Sequence, residues 1–250
     1  MLVAGGVGTL GLALGANARP AQANVEWPLP YVPLDVEVVQ ARGHLGYYNG
    51  ECCYGAFWAI LETLRDEVGG PYNEIPAEIM IYGGGGIAGW GTTCGALIGS
   101  CSAMALAAPD RATAKGLANA LLGWYSTVAL PSDTANDLAV EGGYLVDELR
   151  AEGVLPSSVS NSPLCHVSVG NWCEVSGFAS GSPERSERCG RLVGDTAAQA
   201  VALLNTLHAE GSVTPDFSFT EETQECMGCH FKGPEYNMGQ FTQGKMECPS

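Results

Sequence analysis

Cys226-Met227-Gly228-Cys229-His230 places two thiols two residues apart, with an imidazole directly after the second. Thiols at this spacing can add to the two vinyl groups of one porphyrin while the adjacent imidazole reaches the iron, so the pattern reads as a c-type haem attachment site. With ten cysteines and four histidines in 250 residues, chance would place the pattern somewhere in the chain roughly 0.006 times. Half of a zinc site is the competing reading, but it needs a second ligand pair with its own short spacing, and none follows. Further on, Met246-Glu247-Cys248-Pro249-Ser250 carries one more cysteine. It reads either as a lone terminal cysteine or as the opening of a second Cys-x-x-Cys-His that two further residues would complete.

Seven cysteines remain: Cys52, Cys53, Cys94, Cys101, Cys165, Cys173 and Cys189. An odd number cannot all pair within one chain, although disulfides are the default for some of them in an oxidising compartment. Several lie in or beside glycine-rich helical segments, where surface staples are unusual. Four thiolates that converge in space, from whatever distance in sequence, would hold an iron-sulfur cluster. Three histidines, His44, His166 and His208, are left as possible axial partners for a haem iron, though a lone histidine is more often simply hydrogen bonded. His208 sits where it could interact with a helix C-terminal dipole.

The elements that must position these groups are mainly helical, and strand-like alternation is scarce. Phe57, Ile60, Leu61, Leu64 and Val68 fall on one face of a helix predicted over residues 51–68, which Gly69-Gly70-Pro71 stops. Gly83-Gly84-Gly85-Gly86 opens a small-residue run to Ala108 that reads as one buried, tightly packed helix. A phosphate loop is set aside there, because no Gly-Lys-Ser/Thr follows. Further helices are predicted over 111–130, over 132–152 behind the capping cluster Ser132-Asp133-Thr134, and from Ser182-Pro183 towards His208. After Gly211 the chain turns polar and loses its periodicity, so a helical cysteine-containing domain over 24–210 gives way to an irregular haem-binding segment over 211–250.

Residues 1–23 resemble the remnant of a secretory signal: an apolar stretch to Gly15 precedes small-residue sites at Ala16-Asn17-Ala18 and Ala21-Gln22-Ala23. The mature protein is expected to begin near Asn24, in the periplasm, and not to span the membrane. Acidic residues outnumber basic ones 27 to 11 for a formal net charge of −16, which argues against nucleic acid as a partner and suits docking to a basic redox protein.

Several segments together are similar to the split-Soret cytochrome c family: Gly43-His44-Leu45 with Cys52-Cys53; Gly83 to Gly86 leading into Ile87-Ala88-Gly89-Trp90-Gly91-Thr92-Thr93-Cys94-Gly95-Ala96-Leu97; Cys165-His166-Val167-Ser168-Val169 with Trp172-Cys173; and Glu187-Arg188-Cys189-Gly190-Arg191-Leu192. The resemblance spans roughly residues 43–250. It extends more loosely to the redox-active family named for a C-GCAxxG-C-C pattern, since Cys94-Gly95-Ala96-Leu97-Ile98-Gly99 transposes the Gly and Cys of that motif.

The resemblance implies a homodimer whose subunits each carry two bis-histidine c-type haems, with one axial histidine crossing from the partner, and an iron-sulfur centre of [2Fe-2S] type in the helical domain. Carried over, Cys226 and Cys229 hold one haem with His230 as its proximal ligand. Cys248 begins the second site, in a chain expected to be truncated there. His44 and His166 are the first choices for distal ligands. Cys53, Cys94, Cys165 and Cys173 are the first choices for the cluster, with Cys52 and Cys189 as substitutes. The expected role is electron transfer with redox partner proteins, since two imidazoles leave no open iron position. A haem- or thiol-dependent reductase of a small substrate is the alternative.

Overall fold

The computed structural model describes residues 26–225 apart from 219 and 223. Six helices form the body: α1 (Val36–Glu67), α2 (Gly95–Ala107), α3 (Arg111–Thr127), α4 (Asp133–Glu141), α5 (Cys165–Ser176) and α6 (Pro183–Glu210). Two 3₁₀ turns, Gly70–Glu74 and Ala77–Gly83, follow α1, and two short strands, β1 (Ala129–Leu130) and β2 (Ser158–Val159), pair antiparallel. The chain is mainly α, as its periodicity predicts.

α1 and α6 are the two long helices, and they lie against each other with α2 packed on both. Their crossing is set by two glycines. A Cβ on Gly43 would come within 2.8 Å of the Gly194 Cα, so only hydrogen at both positions lets the backbones meet this closely. Around that crossing the core fills with Phe57, Ile60, Leu61 and Leu64 from α1 and with Leu192, Val193, Ala197, Val201 and Leu204 from α6, all buried. Each large side chain removed from water there contributes about 1.5–3 kcal/mol.

Caps define the helix ends. The Asp35 carboxylate accepts from the Glu37 and Val38 amides at the start of α1, Ser132 from Ala135 at the start of α4, and Ser182 from Arg185 at the start of α6, where Pro183 occupies the first turn. α6 ends at Gly211, which takes the left-handed conformation.

Four boundaries depart from the sequence expectation. The helix expected over 51–68 is the second half of α1, which begins at Val36 and kinks at Gly50 and Glu51; Glu51 has φ 65° and ψ −168°, outside helical space. The run expected as one helix from Gly83 to Ala108 is helical only from Gly95. Before it, positive φ at Gly85, Gly86, Ile87, Ala88, Gly89 and Gly91 winds the chain into turns that no right-handed helix accommodates. α3 stops at Thr127 because residues 129–130 extend to pair with 158–159. α4 stops at Glu141 because Gly142 adopts αL, so residues 142–152 leave the predicted helix. α5 was not apparent from periodicity. Among the described residues no helix is long and apolar enough to cross a membrane.

Candidate metal centre

Four of these elements each bring one thiol to a shared site. Cys52 lies just past the kink of α1, Cys94 is the N-cap of α2, Cys165 opens α5, and Cys189 lies in the second turn of α6. Two glycines permit the convergence. A Cβ on Gly95 would sit 2.9 Å from the Cys52 Cβ, and one on Gly86 2.8 Å from the Cys165 Cβ. Backbone pairing then pins the start of α5 to the glycine turn, the Cys165 amide donating to Thr92 O at 2.7 Å and the His166 amide to Gly91 O at 3.1 Å.

The electrostatics bind the four thiols into one system. Cys52 and Cys189 share a hydrogen bond, which holds the Cys189 thiol well below its ordinary range and raises Cys52, with burial raising Cys52 further. The Arg188 and Arg185 guanidiniums also favour a Cys189 thiolate. Burial pushes Cys165 up to about 12, and the charges of Cys94 and Cys189 add to that rise. Burial likewise raises Cys94, against a hydrogen bond with Tyr125.

Arg188 is the decisive neighbour. It is 1% exposed, donates through Nη2 to Ser168 Oγ at 3.0 Å, and leaves its buried Nε with no hydrogen-bond partner. A buried guanidinium is costly unless an anion stands beside it, and its charge here interacts with Cys189, Tyr125 and Cys94 and with the Asp195 carboxylate. A cavity of about 480 Å³ opens onto this site, and Cys52, Cys165 and Cys189 line it together with Arg185 and Arg150.

The remaining expected ligands lie elsewhere. Cys53, first choice for the cluster, turns to the other face of α1, where its thiol donates to Met80 Sδ at 3.9 Å and packs against Gly83. Cys173 is two turns along α5 from Cys165. The thiols that interact with one another are therefore Cys52, Cys94, Cys165 and Cys189, two of the first choices and the two substitutes. Adjacent residues on a helix point about 100° apart, so Cys53 meets Met80 where Cys52 meets Cys189, although Cys53 also lies close enough to Cys94 to feel its charge. Cys101 is set apart as well, its thiol raised to about 12 by burial alone. All seven described cysteines are free thiols.

His44 is sealed in the interior. Its Nε2 lies 2.9 Å from Glu187 Oε1, and its ring stacks on Tyr144 at 3.8 Å between centroids. Glu187 also accepts from Arg191 Nε at 3.0 Å and from the Tyr48 hydroxyl. Its Nε2 is thus engaged, while its buried Nδ1 has no hydrogen-bond partner. His166, by contrast, is exposed beside Gly91, and His208 is exposed with its ring edge-on to Tyr31. Cys226, Cys229, His230 and Cys248, and the leader-like residues 1–23, lie outside the described residues. Arg185 and Arg188 are site residues that motif reading missed; basic residues one and four positions before a helical cysteine were the available signal.

A helical body that gathers four thiols around buried guanidinium charge defines a redox protein with an anionic thiolate site. The comparisons sharpen that class. The model of the C_GCAxxG_C_C redox-active protein family matches residues 54–203. The split-Soret cytochrome c of Desulfovibrio desulfuricans (strain ATCC 27774) is 32% identical over 97% of this chain and 86% of its own length. A solved structure of split-Soret cytochrome c from that organism, described as containing a novel iron centre, superposes with a TM-score of 0.77 at 33% identity over 88% of each chain. The chain belongs to the split-Soret cytochrome c family, within the wider C_GCAxxG_C_C group, and is a redox protein of the electron-transfer class.

Proposed function

We propose that the protein is a periplasmic, homodimeric electron carrier. It holds haem c through Cys226 and Cys229 with His230 as iron ligand, opens a second haem site at Cys248, and binds a [2Fe-2S] cluster on Cys52, Cys94, Cys165 and Cys189. The observation that carries the cluster part of the reading is the interaction of those four thiols with one another, with buried Arg188 beside Cys94, Cys165 and Cys189. Its family membership supports haem, and the iron centre described for the Desulfovibrio protein supports iron.

The donor set suits the cluster. Among the described residues no three His, Cys, Asp or Glu side chains close on a common point as the ligands of a single ion do. A [2Fe-2S] core supplies its own bridging sulfides and takes four thiolates, two to each iron, so it does not ask for three ligands on one ion. Four thiolates around an oxidised two-iron, two-sulfide core leave two net negative charges, and Arg185 and Arg188 match them. When bound, such groups accept and release single electrons without a bond made or broken to substrate. The chain's own contribution is to exclude water on the Cys94 side, fix the thiol positions through α1, α2, α5 and α6, and hold positive charge against the thiolates. His166 is the distal imidazole this reading assigns, since it is exposed and follows Cys165 directly, whereas His44 is fully buried.

The purified protein tests the haem part. The account expects pigment that resists acidic organic extraction and a reduced spectrum that carbon monoxide leaves unchanged, because two imidazoles fill each iron. A rapid carbon monoxide shift in the native protein would instead favour the reductase reading.

A further inference from the structure

The cavity beside the thiol centre is larger and more cationic than a cluster requires. About 480 Å³ is within the range of small-molecule sites, roughly 300–1,000 Å³, and four core atoms fill only part of it. Besides the thiols its lining is polar: Tyr47, Tyr48, Asn49, Ser186, Arg150 and Arg185. Arg42, Arg65 and Arg191 each have a carboxylate partner. Among the described residues the Arg150 and Arg185 guanidiniums have none, as is true of Arg111, Lys115 and Arg188, and these two face the same cavity.

Arg150 is also held in place. Its Nη1 donates to Ser186 Oγ at 2.5 Å, its guanidinium lies 4.3 Å over the Tyr48 ring and 5.0 Å from that of Tyr47, and its backbone amide donates to the Tyr48 hydroxyl at 2.8 Å. A cation so fixed has little entropy to lose on meeting a ligand. Arg185 is oriented by its Nε bond to Ser180 O and faces Cys189. With Arg185 and Arg188 matched to the cluster, Arg150 carries the charge left over. Glu51 is the one carboxylate in the lining and opposes an anion there.

We propose that this cavity is a carboxylate-binding site at the mouth of the thiol centre, with Arg150 as its principal cation and Ser186 and the two tyrosines shaping it. A planar carboxylate suits the guanidinium fork, which grips it through two parallel hydrogen bonds. Two sources share this chemistry: a free small carboxylic acid, and a propionate of a haem. The second source rests on the haem reading above; the first does not.

Calorimetric titration of the purified holoprotein with sodium formate and sodium acetate, at constant ionic strength, separates them. A free-acid site gives saturable heat, weakened by about tenfold or more in Arg150→Gln, partly retained in Arg150→Lys, and strengthened a few-fold in Glu51→Gln. A propionate site gives no heat in the wild type but a shifted haem reduction potential in Arg150→Gln, with Arg150→Lys intermediate. Absence of heat in every form together with an unchanged potential in Arg150→Gln overturns the proposal, provided circular dichroism shows the variants folded. A preparation without haem would defeat the electron-carrier reading and leave the calorimetric arm standing.

Discussion

Two buried carboxylates of α6 respond to protons in opposite directions. Burial raises Glu187, but hydrogen bonds from His44, Tyr48 and Arg191 outweigh it and hold the carboxyl down at about 2. Its contribution to stability is therefore present above the ordinary value near 4.5 and is lost as pH falls towards 2. Asp195 runs the other way. Burial lifts it to about 6 from an ordinary 3.8, although Ser132 and Gln40 donate to it. The native state holds that proton after the unfolded chain has released it, so stability falls as pH rises from about 4 to about 6, by on the order of 3 kcal/mol in all. Urea midpoints measured across that window are expected to decline in the wild type and to lose this component in Asp195→Asn. The site itself was partly legible at this scale. The six candidate cysteines were named from the sequence and four converge, but which four depends on the phase of α1 and on the α6 crossing. Spacing along the chain carries neither. His44 stood inside a family-like segment and was expected at iron, yet its neighbours at the fold level are Glu187 and Tyr144, which lie about a hundred residues or more away in sequence.

Between elements, the contact that orders the site is the Gly43–Gly194 crossing of α1 and α6, since Cys52 follows Gly43 on α1 and Cys189 precedes Gly194 on α6. Gly43→Ala would force a Cβ to within 2.8 Å of the Gly194 Cα, where backbone cannot yield as a side chain can. We expect a loss of about 1–3 kcal/mol in urea unfolding, the range of core overpacking. The capped helices α4 and α6 were legible because Ser132 and Ser182-Pro183 signal starts directly. The glycine turn before α2 was misread as helix because composition records small residues but not the sign of φ. α5 escaped notice because only Ser168 and Trp172 of its residues are buried, too few to mark a period.

As a whole the molecule is acidic, −16 in formal charge, and two of its guanidiniums, Arg150 and Arg185, line one cavity. Such a field steers basic partners, so electron exchange with a cationic redox protein is expected to slow markedly as ionic strength rises, in stopped-flow traces at low and high salt. A rate indifferent to salt would remove charge from the docking account. The central claim concerns the thiols, and non-haem iron and acid-labile sulfide counted in single Cys→Ser variants test it most directly. The account predicts equal amounts of both in the wild type and in the variants at Cys53, Cys101 and Cys173, and their loss at Cys52, Cys94, Cys165 and Cys189. Loss at Cys53 and Cys173 with retention at Cys52 and Cys189 would contradict it.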